Sequence, residues 1–118
     1  MKPSDRDPVL YLSDIILSME RVKEYIAGLD FQHFKCDYKT VDAVIRNFEI
    51  IGEATKNLPK DIKDKYPLIP WEEMYRLRNR ISHEYFGVDY EIIWDIATRH
   101  LPTNYEDVKT VLKELHHS

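Results

Sequence analysis

Apolar residues recur at helical spacing along most of the chain, and this pattern predicts a protein built from helices. After Pro8, two sets of apolar residues repeat every seventh position, which is typical of a helix packed nearly parallel to its neighbours. Gly28 and Asp30 mark the predicted end of this first helix. The predicted buried seam consists of Leu12, Ile15, Ile16, Met19, Val22, Ile26 and Leu29.

A second long helix is predicted to run to about Asn57, after a short turn or helix at 31–36. Either Asp37 or Thr40 can cap its beginning. The helix is apolar on two sides, so it is either central in a bundle or packed against a partner chain. One side carries Val41, Val44, Ile45, Phe48 and Ile51, and the other carries Ala43, Ile50 and Ala54.

Prolines and caps divide the rest of the chain. A short helix is expected at 60–66, and Pro70 suits the first turn of a third main helix that should end near Gly87. Asp89 can cap the next helix, and Pro102 starts a last one. These elements predict an all-α, antiparallel bundle of four to five main helices.

Composition and length limit the class of protein. Residues 1–118 suit a single domain with a real core, and the net charge of −4 excludes a protein that coats nucleic acid broadly. The N-terminus lacks the apolar core of a signal peptide, and no apolar run reaches the roughly 18 residues of a membrane span. We therefore expect a cytoplasmic location. The single cysteine, Cys36, excludes an internal disulfide and is expected to be a small core residue.

The candidate chemistry lies on the third main helix. Arg78 is a permanent cation that fits phosphate, and His83 can transfer protons near neutral pH. Asn79 precedes His83 by one helical turn and shares its face, while Arg76 and Arg80 add a local basic patch. The sequence holds no H-E-x-x-H motif, paired cysteines or clustered acids, so neither a metal nor another cofactor is expected.

Helical geometry separates the two central residues of this run. Five positions turn a helix by about 140° net, so Arg78 and His83 do not share a face. Arg78 falls in the apolar stripe with Met74 and Leu77. Either the long arginine side chain wraps toward His83, or a symmetric dimer places two such helices side by side. We favour the dimer. By spacing alone, Tyr85 is a core aromatic in the same stripe.

The run from Arg78 to Tyr85 resembles the R-x-x-x-x-H-x-Y signature of HEPN ribonucleases, specifically the HepT toxins of MNT–HEPN toxin–antitoxin systems. The resemblance covers nearly the whole chain, and each motif has the expected order and spacing. Glu84 departs from it, because glycine is common at that position. The other matching segments are 42–58 with Gly52-Glu53-Ala54, Ile69-Pro70-Trp71, Val88-Asp89, Ile93-Trp94 and Leu101-Pro102.

The resemblance implies a HEPN-fold homodimer with the signature in a cleft between protomers, and metal-independent cleavage of an RNA such as tRNA or mRNA. In the cut that we expect, Arg78 and His83 are catalytic. From their spacing and charge, Asn79 has a supporting role and Arg76 and Arg80 hold the RNA backbone. The resemblance also implies a partner, an MntA-type nucleotidyltransferase antitoxin, which neutralises the toxin by transferring AMP from ATP to the signature tyrosine. By position, that tyrosine is Tyr85.

Two other functions remain open at the level of sequence. The chain could be a non-catalytic helical adaptor that binds a nucleotidyltransferase or a nucleotide, or a plain dimerisation module. Glu53 could pair with Arg78 or merely cover a helix edge. Trp71 and Trp94 are expected to be packing residues rather than platforms for nucleic-acid bases.

Overall fold

The computed structural model describes residues 6–83 and 89–117, and for 78–83 and 117 it describes the backbone alone. These ranges contain helices and no strand, so the all-α prediction is confirmed. The predicted helix end near Gly87 lies outside the described residues. The elements are α1 (Pro8–Ile26), α2 (Phe31–Cys36), α3 (Tyr38–Asn57), α4 (Lys60–Lys65), α5 (Trp71–His83), α6 (Tyr90–Asp95), a π-helical turn (Ile96–His100) and α7 (Leu101–His117).

Local capping sets the beginnings and ends of the first helices. Asp7 caps α1 by accepting a hydrogen bond from the Val9 N–H at 2.9 Å, and Gly28 turns the chain after it with a φ of 79°, which favours glycine. Asp37, rather than Thr40, caps α3. The Asp37 carboxylate accepts bonds from the Thr40 hydroxyl at 2.8 Å and the Thr40 N–H at 3.1 Å, and they lower the pKa of Asp37.

The long helices pack in a fixed order. Helix α3 packs between α1 and α5, and α1 packs between α3 and α7. The heptad seam of α1 is its buried face, with Leu12, Ile15 and Val22 fully buried. A central position within one chain explains why α3 is apolar on two sides. That two-sided pattern therefore no longer supports a dimer.

The last helices are continuous rather than separate. The chain stays helical from Tyr90 through the π-helical turn into α7, so the predicted break before Pro102 is wrong. A proline lacks an N–H, and in an α-helix its ring clashes with the carbonyl four residues earlier. Here the Leu101 N–H bonds to the Ile96 carbonyl five residues back, so the turn is widened immediately before Pro102 and the helix continues.

Two tyrosine hydroxyls tie α7 to distant parts of the chain. Tyr105 on α7 donates to the Glu20 carboxylate on α1 at 2.7 Å, and Tyr66 donates to Glu114 on α7 at 2.5 Å. In each pair the hydrogen bond to the carboxylate favours the protonated phenol and raises the pKa of the tyrosine. These bonds fix the position of α7 at both ends.

The prediction that Cys36 is a small core residue is wrong, because this residue is exposed. Helix α2 buries only one face, through Phe34, which is completely inaccessible to solvent. A residue two positions along a helix points about 200° away from it. Cys36 therefore faces solvent, although its residue type favours the core.

None of the helices in residues 6–83 and 89–117 is both long and apolar enough to cross a bilayer.

Candidate functional site

Three buried side chains hold α5 against the bundle. Trp71, Met74 and Leu77 are 7%, 1% and 6% exposed, and their spacing of three places them along one face. This face packs mainly on α3. The Trp71 indole N–H also donates to the Tyr66 carbonyl at 3.0 Å, which fixes the beginning of the helix. The first two turns of α5 are thus a rigid base for the residues that follow.

The backbone of four predicted site residues lies at the C-terminal end of this helix. Arg78, Asn79, Arg80 and His83 are all helical, so the geometric argument about their directions applies. The backbone positions of Asn79 and His83 are about one turn apart, whereas those of Arg78 and His83 lie about 140° apart around the helix axis. Their side chains are not described, and Tyr85 lies outside the described residues. The choice between a wrapped arginine and a dimer cleft therefore stays open.

Arg76 is the predicted RNA-binding residue whose side chain the structure describes. It is exposed, and its Nε lies 3.3 Å from Glu72 Oε1 one turn earlier. Both side chains are about two-thirds exposed, so this ion pair is weak and an incoming phosphate can compete for it. The predicted patch from Arg76 to Arg80 contains no acid, but in the fold Glu72 borders it.

Asn47 is a buried polar residue that the hydrophobic pattern of α3 conceals. Its side chain is 5% exposed, and its Nδ2 donates to the Ala43 carbonyl at 2.8 Å. Its Oδ1 has no hydrogen-bond partner in the part of the chain that the structure describes. A buried acceptor without a partner lowers the stability of the fold. Asn47 lies on α3, the helix on which α5 packs. The sequence feature that could have indicated this buried residue is an amide side chain between Val44 and Phe48 in the apolar stripe of α3.

The other residues singled out from the sequence take varied positions. Trp71 is buried and Trp94 packs on Phe34 with ring centroids 5.0 Å apart, so both have the predicted packing role, while the Trp94 side chain stays half-buried. Glu53 is exposed and lines a groove of about 430 Å³ between α1 and α3 together with Arg46. A pairing of Glu53 with Arg78 would involve a side chain that is not described.

Within residues 6–83 and 89–117, no group of three or more histidine, cysteine, aspartate or glutamate side chains is arranged to hold a metal ion. Metal independence itself stays a prediction.

Comparisons with known proteins agree with the resemblance noted from the motifs. A protein from Thermococcus cleftensis, described as a ribonuclease HepT, is 46% identical over 103 residues, covering 87% of this chain and 91% of its own. A protein from Methanocaldococcus jannaschii, described as an RNase, is 42% identical over 110 residues, covering 93% and 91%. An RNase-named protein from Caldanaerobacter subterraneus is 38% identical over 109 residues, covering 92% and 97%. No solved structure gives a significant match.

The family comparison covers most of the helical bundle. The sequence profile described as Ribonuclease HepT-like matches residues 15–111, a range that includes the seam of α1 from Ile15 onward, all of α3 and α5, and the complete signature from Arg78 to Tyr85. The chain therefore belongs to the HepT-like ribonuclease family.

Proposed function

We propose that this chain is the toxin of a type VII-like toxin–antitoxin module and acts as a metal-independent endoribonuclease. One observation carries the proposal: the family match includes an intact signature, with Arg78, His83 and Tyr85 at the required spacing. Helix α5 supports it, because buried residues in its first two turns hold the helix that bears Arg78 and His83. A cytoplasmic location stays a prediction.

The proposed reaction uses the 2′-hydroxyl of RNA as its nucleophile. His83 takes the proton from that hydroxyl, the 2′-oxygen bonds to phosphorus, and the bond from phosphorus to the 5′-oxygen breaks. The same imidazole, now protonated, gives that proton to the leaving 5′-oxygen. The products are a 2′,3′-cyclic phosphate and a 5′-hydroxyl. An imidazole suits both roles because its ordinary pKa lies near neutrality.

Arginines and an amide support this reaction. Arg78 stabilises the negative charge that develops on the phosphate, and Asn79 orients His83 or the phosphate from one turn away. Arg76 and Arg80 hold neighbouring phosphates. Arg76 can do so because its only ion pair among the described residues is the exposed one with Glu72.

A homodimer is part of the proposal, because Arg78 and His83 point in different directions from one helix. Mixing Arg78→Ala with His83→Ala protein tests it. If each cleft combines Arg78 of one protomer with His83 of the other, a mixed dimer keeps one intact site. Random exchange then restores roughly a quarter of wild-type activity. No recovery after confirmed subunit exchange would place both residues of a site on one chain.

The proposed regulation acts at Tyr85. An MntA-type nucleotidyltransferase antitoxin would transfer AMP from ATP to the tyrosine oxygen and release pyrophosphate. The added phosphate is a bulky anion two residues from His83, so it blocks RNA and competes for Arg78. After co-expression with the partner, intact mass should increase by AMP units, and Tyr85→Phe should abolish the increase. Suppressed toxicity without any mass gain would contradict this regulation.

Cleavage of RNA with metal chelated tests the activity itself. Wild type should cut, whereas His83→Ala and Arg78→Ala should each lose at least about a hundredfold in rate. Arg21→Ala is the control, because Arg21 is exposed on α1. Equal rates for all four proteins, or no cleavage by AMP-free wild type, would contradict the proposal.

A further inference from the structure

An open groove of about 730 Å³ lies beside the π-helical turn, within the usual size range of ligand sites. It begins at Asp89, the first described residue after the signature. Asp89 follows His83 by six positions, so its backbone lies within about 20 Å of the proposed catalytic residue. The residues that give the groove its chemistry are Phe31, Glu91, Trp94, Asp95, Arg99 and His100.

One wall of the groove is aromatic and rigid. Trp94 packs at 5.0 Å from the completely buried Phe34 and at 6.4 Å from Phe31, measured between ring centroids. The Trp94 side chain is only half-buried, so part of the indole remains open to the groove. A fixed indole edge or face that is open to solvent is the kind of surface on which an unstacked RNA base packs.

The π-helical turn gathers charged groups at the other wall. A π-helical turn spans five residues between bonded backbone groups instead of four. The residues four and five positions after Asp95, which are Arg99 and His100, therefore both come within reach of its carboxylate. Arg99 Nε and His100 Nε2 each lie 3.3 Å from an Asp95 carboxylate oxygen. In a regular α-helix a residue five positions after Asp95 would point away from that carboxylate, so the contact with His100 depends on the π-helical turn. The Arg99 side chain is 81% exposed. The guanidinium is therefore largely open to solvent, so it can bind a phosphate.

One carboxylate in the groove is available as an acceptor. Asp89 already accepts from the N–H groups of Glu91 and Ile92 as the cap of α6, and Asp95 pairs with Arg99 and His100. Glu91 is exposed, and its carboxylate forms no hydrogen bond or ion pair with another side chain in the described part of the chain. A carboxylate accepts from the exocyclic N4 amine of cytosine, whereas uracil has a carbonyl at that position and offers no donor there.

We propose that this groove is a base-recognition subsite for single-stranded RNA. One unstacked base lies on Trp94, an exocyclic amine of that base donates to Glu91, and the adjoining phosphate is bound by Arg99. The inference rests on the proposed ribonuclease function and extends it, because it places sequence preference outside the catalytic signature. Cytosine is preferred over uracil at this position.

Binding of short RNAs to the uncleaving His83→Ala protein tests the subsite separately from catalysis. Hexacytidylate and hexauridylate are titrated while the fluorescence of the two tryptophans is followed, and Trp94→Phe identifies which one responds. Hexacytidylate should quench Trp94 and bind at least about fivefold more tightly than hexauridylate. Adding Glu91→Gln should remove most of that preference. Arg99→Gln should weaken both RNAs and reduce the slope of log K against log salt by about 0.7.

Each contrary result would overturn the subsite. Equal affinity for the two RNAs would remove base recognition, quenching that survives Trp94→Phe would place the RNA elsewhere, and an unchanged salt slope in Arg99→Gln would remove the phosphate contact. Arg21→Gln on α1 is the matched control and should bind like the parent. If the RNAs bind as expected but AMP-free wild type cuts nothing, the proposed catalysis fails and the groove remains as an RNA site. If wild type cuts and the groove variants bind normally, the subsite alone fails.

Discussion

Truncating Met74 should destabilise the protein substantially, because this side chain anchors the helix that carries the signature. Met74 is 1% exposed and lies between Trp71 and Leu77 on the buried face of α5. Met74→Ala removes everything beyond Cβ, which loses about 2 kcal/mol of apolar burial, and the residual cavity adds about 1 kcal/mol. The free energy of unfolding should therefore fall by about 3 kcal/mol. For 118 residues this lowers the melting temperature by roughly 12 °C.

Urea denaturation followed by circular dichroism measures this loss directly. The midpoint should fall while the slope with urea stays unchanged, since the surface exposed on unfolding is nearly the same. Met74→Leu keeps the volume and should cost less than about 1.5 kcal/mol. Leu68→Ala, at a side chain that is 96% exposed, should change the free energy by no more than about 0.5 kcal/mol. A loss below about 1 kcal/mol for Met74→Ala would contradict the packing of α5 on the core.

Three further predictions concern caps and titrating groups. Asp89→Ala should lower the free energy of unfolding by about 1 kcal/mol, because two N–H groups of α6 lose their acceptor, whereas Asp89→Asn should cost less in the same urea assay. The raised pKa of Tyr105 means that its contribution to stability is complete below its ordinary pKa and is lost as pH rises through the raised value, so the difference between wild type and Tyr105→Phe should shrink during alkaline titration. The lowered pKa of Asp37 has the opposite sign: its contribution is present above its ordinary pKa and is lost as pH falls through the lowered value, so wild type and Asp37→Asn should converge in acid. A constant difference across either titration would contradict the corresponding hydrogen bond.

The helices were predictable because their signals are local. The heptad seam of α1, the Asp37 cap and the Asp89 cap each depend on residues within a few positions of one another. The exposed pair of Glu72 and Arg76 could also be read from its spacing of four. These local features are present in the folded protein because tertiary packing favours the same local structure.

Features that depend on distant residues were not predictable in this way. The bond from Tyr105 to Glu20 joins positions 85 residues apart, and nothing local to either residue indicates it. Proline chemistry suggests a break before Pro102, but packing of the continuous α6–α7 segment favours a π-helical turn instead. Cys36 is exposed because Phe34 takes the buried face of α2.

The candidate site also has a part that is predictable from local sequence and a part that is not. Its residue types and spacing are visible as a motif within the range that the family profile matches, and the roles of these residues stay a prediction. How Arg78 and His83 meet at one phosphate depends on side-chain paths or on a second protomer, which spacing along one helix does not determine. The groove at Trp94 was hidden for a different reason, because a packing role and a role in binding RNA use different parts of the same indole.

The most direct test of the central claim compares RNA with DNA of the same sequence in the presence of a metal chelator. Attack by the 2′-hydroxyl requires RNA, so AMP-free wild type should cut the RNA, leave a 2′,3′-cyclic phosphate and a 5′-hydroxyl, and leave the DNA intact. His83→Ala should cut neither. Cleavage of the DNA, or RNA products that carry a 5′-phosphate, would contradict the proposed role of His83 and the 2′-hydroxyl.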